Sequence, residues 1–254
     1  MATTAPPRDN TVEREAERWM NDPYEHFGYH NTRIHSLPRE EVEAVQLAAM
    51  NLRLEERRQQ VQMLAKLADA QGIDRVGRLD DLAPLLLPHD IYKSYPTSLL
   101  AKQQFAKLNT WLTKLTRYSP EEVDVSECDS IDSWLTKLRD ETALDVGASS
   151  GSSGTCSFYP KSKRDYFLSM MGMRVQLAQK FGEDPKPGDI EDKIHAIIPL
   201  YKDGHASMGA FGKYSCKVFA KGDPAYWHYC FDFKLSQDLM WLAARLRAAA
   251  AKGD

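Results

Sequence analysis

Apolar positions recur at helical spacing over the first half of the chain and give way to short apolar runs in the second. In "REEVEAVQLAAMNLRLEERRQQVQMLAKLADAQG", from Arg39 to about Gln71, Val42, Val45, Ala49, Leu52, Val61, Leu64 and Leu67 fall near helical spacing. A long helix is predicted there, broken once near Glu56 and stopped by Gly72. "RLDDLAPLLLPHDIYKSYPTSLLAK" sets short apolar runs between Pro84, Pro88 and Pro96, which predicts a turn-rich connector, followed by a helix from about Ser98 to Leu115. Ser130 reads as an N-cap with an acidic residue behind it, and Ile131, Trp134, Leu135 and Leu138 form one face of the helix it opens.

Beyond Arg164 the pattern alternates between elements. "KSKRDYFLSMMGMRVQLAQKFG" predicts a helix ending at Gly182, and "EDPKPGD" a surface turn. "KIHAIIPLY" predicts a buried strand, "ASMGAFGKYSCKVFA" a short helix, "YWHYCFDF" a second strand, and "LSQDLMWLAARLRAAAAKGD" an Ala-rich helix. The expected fold class is α/β: a helical region followed by part of a layered domain with helices on a mostly parallel sheet. So few strands cannot bury both faces of such a sheet, so it is expected to be incomplete. Three regions follow: an irregular lead-in over 1–38, a helical region over 39–142 and a partial α/β region over 143–254.

Composition narrows the class. The chain has 254 residues, 43% of them apolar and 27% charged, as expected of a globular fold with a real core. A net charge of -3 leaves no global cationic excess for a nucleic-acid backbone, so any anion site must be local. No run is long and uncharged enough to span a bilayer, and the start lacks the apolar core of a secretory signal. Cys128, Cys156, Cys216 and Cys230 show no Cys-x-x-Cys pair. A cytoplasmic protein with reduced thiols, no membrane partner and no nucleic-acid partner is expected.

The candidate chemistry lies in "ASSGSSGTCSFYPKSKRD", Ala148 to Asp165. Two readings compete on composition. Gly/Ser runs serve as flexible spacers. They also cradle phosphate, turning backbone N–H groups and hydroxyls toward one point, and here Lys161, Lys163 and Arg164 stand close behind. "TCSFYP" directly after the run favours entry into folded structure. The P-loop, the dinucleotide fingerprint and the Gly-x-Ser-x-Gly elbow are all absent.

"SSGSSGTCSFYPKS", Ser149 to Ser162, resembles the ATP phosphate loop of the adenylate-forming superfamily, whose usual form is Ser/Thr-Ser-Gly-Thr-Ser/Thr-Gly. "LLLPHDIYKSYP" is similar to the segment ahead of that loop in the phenylacetate-CoA ligase and bacterial luciferase acyl-protein synthetase branch. The resemblance implies that Ser149, Ser150, Gly151, Ser152, Ser153 and Gly154, with Thr155 and Lys161 behind, hold the β- and γ-phosphates of ATP. A carboxylate would then attack the α-phosphorus, giving an acyl-adenylate and pyrophosphate before transfer to coenzyme A, a carrier protein or another thiol or amine acceptor. It also implies that Tyr201, His205 and Phe211 line the acyl pocket. Ser152 stands where Thr is usual, and Thr155 where Lys is frequent. The family's Glu for Mg²⁺, its ribose-binding Asp and its mobile C-terminal Lys have no counterpart after Gly154. The resemblance therefore implies the N-terminal portion of such a ligase, completed by a missing C-terminal region or a partner chain. The alternative is a catalytically incomplete interaction module that docks through an open sheet edge.

Other residues read more simply. His26, His30 and His35 lack the acidic or thiol ligands of a metal set. His195 reads as a structural histidine, "YWHYCFDF" as a strand rather than a ring-binding cluster, and Asp232 and Asp238 have no acid/base pairing.

Overall fold

The computed structural model describes residues 10–149, 151, 155–178 and 192–251. The chain divides into two compact units, Met1–Leu86 with Val175–Ile190, and Leu87–Arg174 with Glu191–Asp254.

In the first unit the expected irregular lead-in is helical from Asn10 onward: α1 (Asn10–Asn21), α2 (Pro23–His26) and α3 (Asn31–His35). Charge hides the apolar stripe of α1, yet Val12, Ala16, Trp19 and Met20 pack on Val45 and Ala49. Asp22 starts α2, its carboxylate accepting from the amides of Tyr24 and Glu25 at 3.0 Å. His26 lies 2.5 Å from Glu15. The long helix is α4 (Arg39–Gln60) and α5 (Gln62–Gln71), with the break at Val61, where φ is -117°, rather than near Glu56. Gly72 closes α5 at φ +63°, in the left-handed region that glycine enters without strain. Asn51 is buried and exchanges two hydrogen bonds with the backbone of Val76, of 2.9 and 3.0 Å, which fixes the chain after α5 on α4.

The second unit carries the expected site. Short 3₁₀ turns over Leu79–Leu85 and His89–Lys93 form the connector on either side of the boundary. The helix expected from Ser98 is two, α6 (Ser98–Ala101) and α7 (Phe105–Thr113), because Gln103 takes φ +52° between them. α8 (Ile131–Glu141) buries Trp134, Leu135 and Leu138 completely against Leu108, Leu112, Leu144, Val146 and Phe158. This core runs straight across the boundary expected near residue 142. Helices from Leu87 onward thus belong with the α/β part.

β1 (Gly147–Ala148) pairs antiparallel with β2 (Phe158–Tyr159). α9 (Lys163–Ala178) follows, and the expected end at Gly182 and turn at 183–189 lie outside the described residues. β3 (Ala196–Gly204), α10 (Ser207–Phe219) and β4 (Trp227–Leu235) form a β-α-β unit with parallel strands, and α11 (Gln237–Ala250) comes last. The chain is mixed α/β with a small parallel sheet. A single parallel bridge, Ala148 to Ala206, links β1 to the chain after β3.

"KIHAIIPLY" is not a buried strand. Ala196, Ile198, Trp227 and Tyr229 pack with Met170, Tyr214 and Val218, whereas Ile197 is 77% exposed. Beyond Tyr229 the strand residues Cys230, Phe231, Asp232, Phe233 and Lys234 are all exposed. Among the described residues the parallel pair has no third strand, and the helical cover reaches only alternate positions near its start.

α8 and α11 start identically, with Ser-x-Asp, and the two starts exchange carboxylates. Asp238 accepts from the amides of Ile131 and Asp132 at 2.8 and 2.9 Å. Asp132 in return accepts from Ser236 Oγ at 2.6 Å and from the amide of Gln237 at 3.0 Å. Each carboxylate thereby satisfies orphan N–H groups of the other helix and meets its positive end. Burial acts to raise the Asp132 pKa, but these bonds and the charge of Lys234 outweigh it and hold the carboxyl below its ordinary value.

Asp238→Ala should lower the unfolding free energy by about 1–2 kcal/mol, read as a lower urea midpoint with an unchanged slope. The Asp132 contribution is complete above about pH 4 and is lost as pH falls through the lowered folded value. Asp132→Asn should accordingly flatten the acid-side loss of stability; a variant with the wild-type profile would contradict the exchange.

Candidate functional site

The Ser/Gly run lies in sequence between the paired strands β1 and β2. Its first foot is Ser149, whose amide donates to Ser157 O at 3.0 Å and whose Oγ accepts from Ser157 N at 2.8 Å. Gln237, fully buried at the start of α11, donates through Nε2 to Ser149 O at 2.8 Å and to Cys156 Sγ at 3.5 Å. Tyr95, from the connector, donates its hydroxyl to Cys156 O at 2.7 Å. Burial pushes the Tyr95 hydroxyl and the Cys156 thiol upward in pKa, so both stay protonated at neutral pH. Both ends of the run are therefore set into one core, which is not how a spacer between two independent domains is built.

Gly151 has φ +66°, and a Cβ there would lie 2.9 Å from Cys156 Sγ. Conformation and space both call for glycine at this position. Thr155 begins the return to Cys156, while Ser150, Ser152, Ser153 and Gly154 lie outside the described residues.

Lys161 follows β2. Its carbonyl accepts from Asp145 N at 2.9 Å at the far end of the hairpin, and its ammonium lies 5.2 Å from the centre of the Tyr166 ring. The three expected pocket residues make different contacts. Tyr201 stacks on Phe231 at 5.1 Å and meets Phe233 edge-on at 5.0 Å. Phe211 is half-buried in the packing of α10.

His205 alone adjoins the loop: its carbonyl accepts from Ala148 N at 2.8 Å, one residue before the first foot. It is 2% exposed, and its Nε2 lies 3.0 Å from Thr136 Oγ1. Burial, helped by the positive charges of Arg139 and Lys234, lowers its pKa to about 4. Two buried polar atoms near this foot, His205 Nδ1 and Gln237 Oε1, have no hydrogen-bond partner among the described residues. Buried polar atoms are nearly always satisfied, by protein groups or by ordered water.

Spacing and composition do not mark Asp132, Asp238, Gln237 or Tyr95 as site residues. A signal for the two aspartates exists, since Ser130-Ile131-Asp132 and Ser236-Gln237-Asp238 repeat one pattern at two helix starts. Nothing in the sequence marks Gln237 or Tyr95, whose partners lie 88 and 61 residues away. No group of three or more His, Cys, Asp or Glu side chains forms a metal site among the described residues, and none of their helices is long and apolar enough to cross a membrane. Comparison with protein-family models, with curated proteins and with solved structures finds no match.

Gly151→Ala should destabilise the chain by about 1–3 kcal/mol, visible as a lower melting temperature; an unchanged one would mean that the foot is loosely built. The His205 ring should stay neutral in an NMR titration until pH approaches about 4. Its neutral form is the one the fold favours, so stability is lost as pH falls from about 6.5 toward 4, by on the order of 3 kcal/mol. A midpoint near 6.5 would contradict the burial.

Proposed function

We propose that this chain is the phosphate-loop portion of an ATP-dependent, carboxylate-activating ligase of the adenylate-forming kind. The observation that carries the reading is the anchoring of the Ser/Gly run: Ser149, Cys156 and Ser157 are fixed by backbone pairing, Gln237 and Tyr95. A run held at both ends can present amides and hydroxyls to phosphate oxygens with less reordering at each binding event. Ser150, Ser152, Ser153 and Gly154 would hold the β- and γ-phosphates, with the charge stabilised by fixed dipoles rather than by a protein nucleophile. The resulting acyl-adenylate would pass to a thiol or amine acceptor, coenzyme A or a carrier protein.

His205 Nδ1 and Gln237 Oε1, without a partner among the described residues, are available to a polar group beside Ala148 and Ser149. The parallel β3–β4 pair and its α10 connection support a place within a larger layered α/β domain. The described residues offer no carboxylate cluster for Mg²⁺, so no step is assigned to a metal held by this chain. All four cysteines are free, which suits a reducing cytoplasmic setting.

A second reading rests on the exposed run from Cys230 to Lys234. In it the chain is a catalytically incomplete module whose open β4 edge takes a strand from a partner chain.

The first reading is tested by titrating ATP into the whole chain. Ser152→Ala combined with Ser153→Ala should weaken binding about tenfold or more at an unchanged melting temperature, since hydrogen bonds to charged oxygens are lost. Equal binding by wild type and variant would remove the loop from the site.

A further inference from the structure

Away from the loop, one cavity gathers cations in a chain of net charge -3. It measures about 490 Å³ and is lined by Arg139, Asp140, Lys163, Lys213, Tyr214 and Lys217. Arg139 comes from the last turn of α8, Lys163 opens α9, and Lys213 and Lys217 stand one helical turn apart on α10.

These cations are positioned from below. Asp145 is 3% exposed, and its Oδ2 takes both the Lys213 ammonium and the Tyr214 hydroxyl, the latter at 3.0 Å. Tyr214 stacks on Tyr166 with ring centres 4.9 Å apart and planes 9° from parallel, giving the cavity a rigid floor. Lys213 and Lys217 lie 5.0 and 5.2 Å from the centre of the Tyr214 ring. Lys163 Nζ spends one donor on Thr142 O at 2.8 Å, and Arg139 Nε one on Asp140 at 3.1 Å. Both keep further N–H groups for a ligand.

Among the described residues the lining and its ion pairs set Arg139, Lys163, Lys213 and Lys217 against Asp140 and Asp145, four positive charges against two negative ones. A compact ligand of at least two negative charges completes that balance. A phosphate group does so with several oxygens for separate lysine and arginine donors. We propose that this cavity is an anion site for a small phosphate-bearing molecule. It is distinct from the loop, because Asp145 pairs with Lys161 at the opposite end of the hairpin from Ser149 and Ser157. The inference therefore stands without the ligase reading.

Calorimetric titration of the whole chain tests it, with inorganic pyrophosphate in one arm and glycerol 3-phosphate in the other. Saturable binding in either arm is expected; the tighter one tells an inorganic anion from an organic phosphate ester. Lys217→Glu, an exposed substitution, should weaken that binding about tenfold or more, and Lys163→Gln should weaken it in the same direction. The double variant Ser152→Ala/Ser153→Ala should leave the component that Lys217→Glu removes unchanged, which separates this site from the loop, where pyrophosphate also binds on the ligase reading. No saturable binding in either arm, or binding that both lysine variants retain in full, would overturn the proposal.

Discussion

The exchange of Asp132 and Asp238 between the starts of α8 and α11 is the constraint on which the second unit depends. Two helix starts brought together would normally set their positive ends and orphan amides against each other. Here each start carries the anion that the other needs. The consequence for function is positional. With α11 fixed at its first residue, Gln237 stands beside the hairpin and can hold Ser149 O, 88 residues away in sequence.

The hairpin feet show how the remaining packing converges. Trp134, Leu135 and Leu138 of α8 bury the inner face of β1 and β2 through Val146, Ala148 and Phe158. Tyr95 closes the second foot from the connector, and the chain after β3 closes the outer side of β1 through Ala148 and Ala206. With Gln237 of α11, four separate segments thus agree on the position of two short strands, which alone would be far too small to persist. Fixed ends of this kind suit a Ser/Gly run that, on the proposed reading, meets a charged ligand in one arrangement.

Much of the element pattern was legible in sequence because it rests on local signals: Gly72 as a helix stop, Ser130 as an N-cap, and the β3–α10–β4 succession. The failures have physical causes. α1 carries a stripe at helical spacing, Val12, Ala16, Trp19 and Met20, but the charges between them and the Pro, Asn and His residues around it obscure it in sequence. The run "IIPLY" reads as buried because apolarity shows only what a strand tolerates, not how many helices cover it. The boundary near residue 142 failed because Trp134 and Phe158 meet at a ring-centre distance of 5.1 Å, a contact with no trace in spacing. Of the candidate site, the small-residue loop was legible from composition. The residues that hold it, Gln237 and Tyr95, were not, since long-range bonds leave no periodicity.

Amide hydrogen exchange across residues 147–158, with and without ATP, tests the central claim most directly. The account predicts that the amides of Ala148, Ser149 and Ser157 exchange slowly in the free chain, as parts of the core, and that the run between them slows when ATP is added. Fast exchange at the feet, with a Ser/Gly run indifferent to ATP, would contradict it: the run would then be a loose connection and not a seat for phosphate.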